Sequence, residues 1–284
     1  MRNALADWAL SLRPGTLTAP VLDAARGRVL EALGARLAEA DAFDGQVDPL
    51  TARLIEQGLA LAEDGGMLLV ALAAAYAVAE QGLADAMLRG LLRGNVAAAL
   101  GEGSTLPAEP LRAVQDWPCR PFGGPPEAHA ALEALMTLLG ATALAPDHIA
   151  RIEVTGVAPL PGLAESLAVA AIEGVSGLRP LRPALLAQPA VRALVARIAA
   201  TAEGPPALIL SARSGQLHRQ ALGLAWGSAA RPMSRLDLQD KFCALCAPRF
   251  SSSRIDQLIQ AVEGLGERAE ALGELRGLLA PVSA

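Results

Sequence analysis

The chain has 284 residues, of which 52% are hydrophobic and only 3% aromatic, and its formal net charge is −5. Its apolar residues are mostly alanine, leucine and valine, which favours close-packed helices over a β-sandwich. Positive charges form no stripe, and the longest apolar run, residues 67–79, is too short to cross a bilayer, so we expect neither a nucleic-acid partner nor a membrane span.

The N-terminal part of the chain has the apolar periodicity of helices. Its first residues lack the long apolar core and the cleavage site of a signal peptide, so we expect a cytoplasmic protein. Proline and glycine residues separate the periodic segments. The pattern predicts helices over residues 4–13, 18–40, 49–63 and 67–89, before a boundary loop at 101–110.

The middle of the chain mixes helical and strand patterns. The spacing predicts helices over 127–140, 163–174 and 189–200, and a half-buried strand over 151–157. Two further strands are predicted to meet in a hairpin at Ser214-Gly215. Helices return at the C-terminal end, where we predict residues 234–247, 251–263 and 267–279, the first two capped by Ser234 and Ser251.

This order predicts a mainly α protein with an α+β insert. Residues 1–104 and 232–284 are expected to form one all-helical domain from both chain ends. Residues 105–231 are expected to form a smaller α+β domain.

The segment KFCALC holds the only lysine of the chain, Lys241, and two cysteines at CxxC spacing, Cys243 and Cys246. A structural zinc site needs four ligands, and a redox pair needs a helix N-terminus to lower the thiol pKa. Neither requirement is met in the pattern, because there is no second pair and the cysteines follow mid-helix. We interpret them as packing residues and predict no metal site.

Two other clusters have alternative interpretations. Asp41, Asp44 and Asp48 fall in one short loop, where carboxylates could exchange protons or hold a cation, or could simply cap a helix. Arg120 lies in the turn WPCRPFGG with His129 nearby, and an arginine in such a turn suits a carboxylate ligand. The alternative for Arg120 is an ordinary surface arginine.

Five segments carry a resemblance to a known family, in the family's order and from both ends of the chain. They are LADWALSLRPGTLTAPVLDAARGRVLEALGARLA (5–38), GLALAEDGGMLLVALAAAYAVAEQ (58–81), DWPCRPFGGPPEAHAALEALMTLLGATALAPDHIARIEV (116–154), ESLAVAAIEG with QPAVRALVARI (165–174 and 188–198), and GSAARPMSRLDLQDKFCALCAP (227–248). On these segments the chain resembles the MmgE/PrpD family, which includes 2-methylcitrate dehydratase, cis-aconitate decarboxylase and iminodisuccinate epimerase.

The resemblance implies a helical domain built from both chain ends, an inserted α+β domain, a ligand pocket between them, and a homodimer. It also implies site residues. Asp41 and Asp44 match the family's acidic motif, and Cys119 and Arg120 match a turn of the family's pocket. In a working enzyme, Asp44 would be the catalytic base and His129 the acid, and Asp41, Cys119 and Arg120 would bind the substrate. Lys241 matches a structural helix of the family. No cofactor is implied.

The departures from the family bear on activity. Segments are missing after GARLAEA and between AVAEQ and WPCR, and Gly45 and Gln46 replace a threonine and a histidine. Losing one electrostatic donor alone costs about 2.7–4 kcal/mol of transition-state stabilisation. We therefore predict a non-catalytic binding or partner subunit that pairs with itself or with a full-length family member.

The alternative is a small, cofactor-independent lyase or isomerase. It would act as a dehydratase, decarboxylase or epimerase on a di- or tricarboxylic acid, by proton abstraction next to a carboxylate. A small carboxylic acid is the ligand we expect where the family's pocket survives. We also expect the shortened helical domain to expose the apolar face of helix 67–89 and to associate through it.

Overall fold

The computed structural model describes residues 4–38, 49–100, 105–173 and 183–280. Contacts divide the chain into two compact units. The helical unit lies within Met1–Gly34, Asp48–Pro118 and Ser234–Ala284, and the α+β unit lies within Ala35–Val47 and Cys119–Met233. The prediction of a mainly helical protein with a small α+β part is confirmed. The predicted domain boundaries and the MmgE/PrpD-like architecture stay predictions.

The N-terminal half of the described chain is entirely helical. Its helices are α1 (Ala4–Ser11), α2 (Ala19–Ala38), α3 (Pro49–Leu61), α4 (Gly65–Ala77), α5 (Ala84–Leu92), α6 (Val96–Leu100) and α7 (Arg112–Asp116). Twelve of the thirteen residues of α4 are buried. The expectation that this apolar helix exposes one face is therefore wrong, because the surrounding helices cover it on all sides.

The single helix predicted over 67–89 is also wrong, because the chain turns between α4 and α5. A short 3-10 turn at Ala79–Gln81 follows α4, and Gly82 then adopts a φ of +72°. Glycine takes this left-handed conformation without the steric cost that a Cβ would bring. Alanine and leucine recur at helical spacing on both sides of the turn, and so periodicity alone did not reveal it.

The α+β unit is a four-stranded sheet packed against helices. In chain order its elements are α8 (His129–Thr142), β1 (Ile149–Thr155), α9 (Leu163–Glu173), α10 (Pro183–Leu186), α11 (Pro189–Val195), β2 (Ile198–Thr201), β3 (Ala207–Ala212) and β4 (Leu217–Ala221). The strand order is β2-β1-β3-β4, with β1 and β2 parallel and the other pairs antiparallel.

Alternation along β1 and β3 puts one face of the sheet in the core. Ile152 pairs with Leu210, Val154 pairs with Leu208, and all four side chains are buried in one apolar cluster with residues of α8 and α9. The strand predicted at 151–157 and the hairpin at Ser214-Gly215 are confirmed. The helix predicted over 189–200 is wrong after Val195, since the following residues pair with β1 instead.

The C-terminal segment completes the helical unit with α12 (Arg235–Cys246), α13 (Ser252–Glu263) and α14 (Ala271–Leu279). Both predicted caps are present. Ser234 Oγ accepts a hydrogen bond from the amide of Asp237 at 3.2 Å, and Ser251 Oγ accepts one from that of Arg254 at 3.3 Å. None of the helices in the described ranges is both long and apolar enough to span a membrane.

Candidate functional site

The turn that carries Cys119 and Arg120 is fixed by its backbone contact with Gly227. The amide of Cys119 donates to the carbonyl of Gly227 at 2.8 Å, and the amide of Gly227 donates to the carbonyl of Arg231 at 2.8 Å. Gly227 has a φ of +86°, and a Cβ at this position would overlap the carbonyl oxygen of Cys119. Only glycine allows both the positive φ and the close approach of the Cys119 carbonyl. The two backbone hydrogen bonds therefore hold the turn in one conformation.

His129, the predicted acid, is buried at the start of α8. Its relative exposure is 3%, and the ring of Phe122 meets it edge-on with 5.8 Å between the ring centroids. Trp226 also contacts Phe122, with 6.1 Å between the ring centroids. The structure thus places His129 against Phe122, two positions after Arg120, inside an aromatic cluster.

The two other described site residues differ in accessibility. Cys119 is 8% exposed and Arg120 is partly exposed. Asp41 and Asp44, the predicted substrate ligand and base, lie outside the described residues. Among the predicted site residues that the structure describes, Arg120 is therefore the one whose side chain reaches solvent.

Three charged side chains form a buried ion cluster in the helical unit, which the sequence patterns did not reveal. Lys241 Nζ of α12 lies 3.3 Å from Glu31 Oε1 of α2, and Arg28 Nη1 lies 3.4 Å from Glu31 Oε2. Their side chains are at most 6% exposed. Arg28 also donates to the backbone carbonyls of Trp117 and Val114. Opposite charges and carbonyls thus compensate for the lost hydration of these groups.

Glycines of α2 allow α12 to approach closely enough for this cluster to form. A Cβ at Gly27 would lie 2.9 Å from Leu238 Cδ1, and one at Gly34 would lie 3.1 Å from Phe242 Cδ2. Lys241 lies between Leu238 and Phe242 in the sequence of α12 and is only 2% exposed. Its amine is therefore enclosed by protein, and a structural role explains it better than a chemical one.

The CxxC cysteines occupy the last turn of α12, and both are free thiols. Burial raises the pKa of Cys246 to about 12. The pKa of Cys243 is raised by burial and by the nearby carboxylates of Asp240 and Asp256. Both sulfurs are thus protonated at neutral pH, which disfavours metal binding and thiol exchange. Within the described part of the chain, no three His, Cys, Asp or Glu side chains group together as metal ligands.

A groove of about 740 Å³ lies between α13 and α14, and its carboxylates already have cationic partners. Each of its three glutamates is paired with an arginine, as Glu263–Arg235, Glu267–Arg26 and Glu274–Arg268. This pairing leaves the groove without a strong excess of either charge.

Comparisons with known proteins assign no family to the chain. A scan against protein-family profiles found no match. A search of curated proteins likewise found no similar sequence.

Proposed function

We propose that the chain is a shortened, non-catalytic protein of the MmgE/PrpD type that binds a small carboxylic acid and acts as a binding or partner subunit. The observation that carries this proposal is the burial of His129. A general acid or base must come within hydrogen-bond reach of its substrate. His129 is 3% exposed and packed against Phe122, so it is poorly placed to exchange a proton with a molecule from solvent.

The binding part of the proposal rests on Arg120. Its turn is held rigidly by the Cys119–Gly227 contact, and its side chain is partly exposed. A guanidinium offers planar paired donors that match a carboxylate, and a rigid support lowers the entropy cost of binding. This arrangement favours recognition of an acid without any proton transfer.

The partner part of the proposal comes from the resemblance alone. Family members are homodimers, so the partner we propose is a second copy of the chain or a full-length family member. Light scattering of the purified chain, alone and mixed with such a member, measures this directly. A monomeric mass under both conditions would contradict the partner role while leaving the binding role open to its own test.

Ligand binding is tested by thermal shift with citrate, 2-methylcitrate, cis-aconitate, itaconate and iminodisuccinate. A ligand at about a hundred times its dissociation constant stabilises the folded state by about 2.7 kcal/mol, which raises Tm by several degrees. We expect one acid to raise Tm and no acid to be converted. Arg120→Gln should abolish the shift, whereas Arg192→Gln, at an exposed arginine of the same unit, should keep it.

Two results would overturn the proposal. A flat response to all five acids would contradict ligand binding. Conversion of an acid by the purified chain, lost in Asp44→Asn and in His129→Gln, would instead establish the lyase or isomerase that is the alternative function.

A further inference from the structure

A cavity of about 360 Å³ opens beside α11 in the α+β unit. We name it the α11 cavity, and its lining consists of Pro146, Asp147, Ile172, Ala190, Ala193, Leu194, Arg197 and Arg213. Its volume is at the low end of the range of about 300–1,000 Å³ that is typical of small-molecule sites. It shares no lining residue with the Cys119 turn.

Two arginines border the cavity from different elements. Arg197 lies between α11 and β2, and its Nη1 donates to the carbonyl of Ile149 at 3.0 Å. Arg213 follows β3, and its backbone amide donates to the carbonyl of His148 at 2.8 Å. Arg197 through its side chain and Arg213 through its backbone are therefore both held at the end of the sheet where β1 begins.

Most of the donors on these two guanidiniums have no partner among the residues that the structure describes. A guanidinium carries five N–H donors. Arg197 uses Nη1 for Ile149, and the side chain of Arg213 has no hydrogen bond or ion pair with any residue that the structure describes. Two cationic groups with free donors at one cavity can receive an anion with more than one oxygen.

The rest of the lining is apolar, apart from one carboxylate. Ile172 and Leu194 belong to the edge of the apolar cluster under the sheet, and Ala190 and Ala193 come from α11. The Asp147 side chain is 80% exposed and its Oδ2 lies 3.9 Å from Nε2 of the neighbouring His148. The lining therefore combines a formal charge of +1, from two arginines and one aspartate, with an apolar wall.

We propose that the α11 cavity binds a small monocarboxylate with a short aliphatic chain. Arg213 and Arg197 hold the carboxylate, and the chain packs on Ile172, Leu194 and the alanines of α11. An inorganic anion would use the arginines and gain nothing from the wall, whereas an alcohol would use the wall alone. The proposal is independent of any role of Arg120.

Isothermal titration calorimetry of the full chain with hexanoate, phosphate and hexanol tests the proposal. Hexanoate should bind at one site per chain, and phosphate and hexanol should each bind at least about tenfold more weakly, since each lacks one of the two sets of contacts. Equal binding of phosphate and hexanoate would overturn the monocarboxylate assignment. No binding of hexanoate would overturn the site itself.

Variants locate the binding. Arg213→Gln removes a side chain without hydrogen bonds to the described residues, so the fold should persist while hexanoate affinity falls about ten- to a hundredfold. Ala193→Phe should fill the cavity and abolish binding. Arg192→Gln, one position before Ala193 and outside the lining, is the matched control and should bind as the wild type does. Unchanged affinity in both Arg213→Gln and Ala193→Phe, with Tm unaltered, would contradict the site.

Discussion

The two units bury polar groups very differently. Among the described residues, the helical unit buries five polar or charged side chains, Arg26, Arg28, Glu31, Thr51 and Lys241. The α+β unit buries only two, His129 and Ser166. The α+β unit gains its cohesion from sheet hydrogen bonds and branched apolar side chains. The helical unit, which is rich in alanine and glycine, adds long-range contacts of charged groups.

Arginine is the residue that makes many of these long-range contacts. Arg26 donates through Nε and Nη2 to the carbonyl of Leu265, at 3.0 and 2.8 Å. Arg276 donates in the same way to Leu59, at 2.9 and 2.7 Å, near the C-terminal end of α3. Helix C-termini leave carbonyls without intrahelical partners, and a forked guanidinium can serve them from another helix. Short helices are thus joined by side chain to backbone bonds as well as by packing.

The largest effect is expected from breaking the buried ion cluster. Glu31→Ala removes the carboxylate between Arg28 and Lys241, and unpairing a buried charge costs about 3–5 kcal/mol of unfolding free energy. Equilibrium urea denaturation measures the change. The matched control is Arg53→Gln, which breaks the exposed Arg53–Asp85 pair and should cost less than about 1 kcal/mol. Equal costs would show that the cluster does not stabilise the helical unit.

The α+β unit should be most sensitive to its apolar core. Leu210→Ala empties a fully buried position on β3 and should cost about 2–5 kcal/mol in the same denaturation experiment. Leu217→Ala, on β4 and 70% exposed, should change stability by less than about 0.5 kcal/mol. A small cost for Leu210→Ala would mean that the sheet face tolerates a cavity, and that apolar packing is not what stabilises the α+β unit.

The close approach of α2 to α12 predicts a smaller change in the free energy of unfolding. Gly34→Val introduces a Cβ about 3.1 Å from Phe242, and overpacking of this kind costs about 1–3 kcal/mol. Gly140→Ala is the control, because Gly140 lies in α8 with no atom within 4 Å of an added Cβ. It should stabilise the protein by about 0.5–1 kcal/mol. If Gly34→Val were also stabilising, α2 and α12 could not be as tightly packed as they are here.

The smallest effect is a loss of stability at alkaline pH. The pKa of Cys246 is raised from 9.0 to about 12, so above pH 9.0 the unfolded thiol ionises while the folded one keeps its proton. The unfolded state is then favoured, and stability falls as pH rises. At about pH 9.5 the loss should be about 1 kcal/mol relative to Cys246→Ala. Parallel stability curves for the two proteins between about pH 8 and 10 would rule out this contribution.

The site could be predicted less completely than the fold. The sequence brought Cys119, Arg120 and His129 to attention, and the structure adds that His129 lies in an aromatic cluster. The burial of a side chain depends on rings from distant segments, here Trp226, which no local pattern reports. The α11 cavity could not be predicted for the same reason, since Arg197 and Arg213 come from different elements.

The buried ion cluster is a second feature that local sequence patterns could not predict. Its signals in the sequence are two residues of opposite charge three positions apart on α2, and one lysine in α12. Glu31 and Lys241 are 210 positions apart. Only the packing of α2 against α12 determines that they meet.

The sequence by itself determined the features that neighbouring residues control. Ser234 and Ser251 fix two helix starts, Gly215 fixes a hairpin, and alternating residues fix which face of β1 is buried. The tertiary structure decided where the chain turns after α4, and that residues 198–201 pair with β1 rather than extend a helix. Caps and turns depend on bonds over three or four positions. Strand pairing, charge burial and cavities depend on which distant segments pack together.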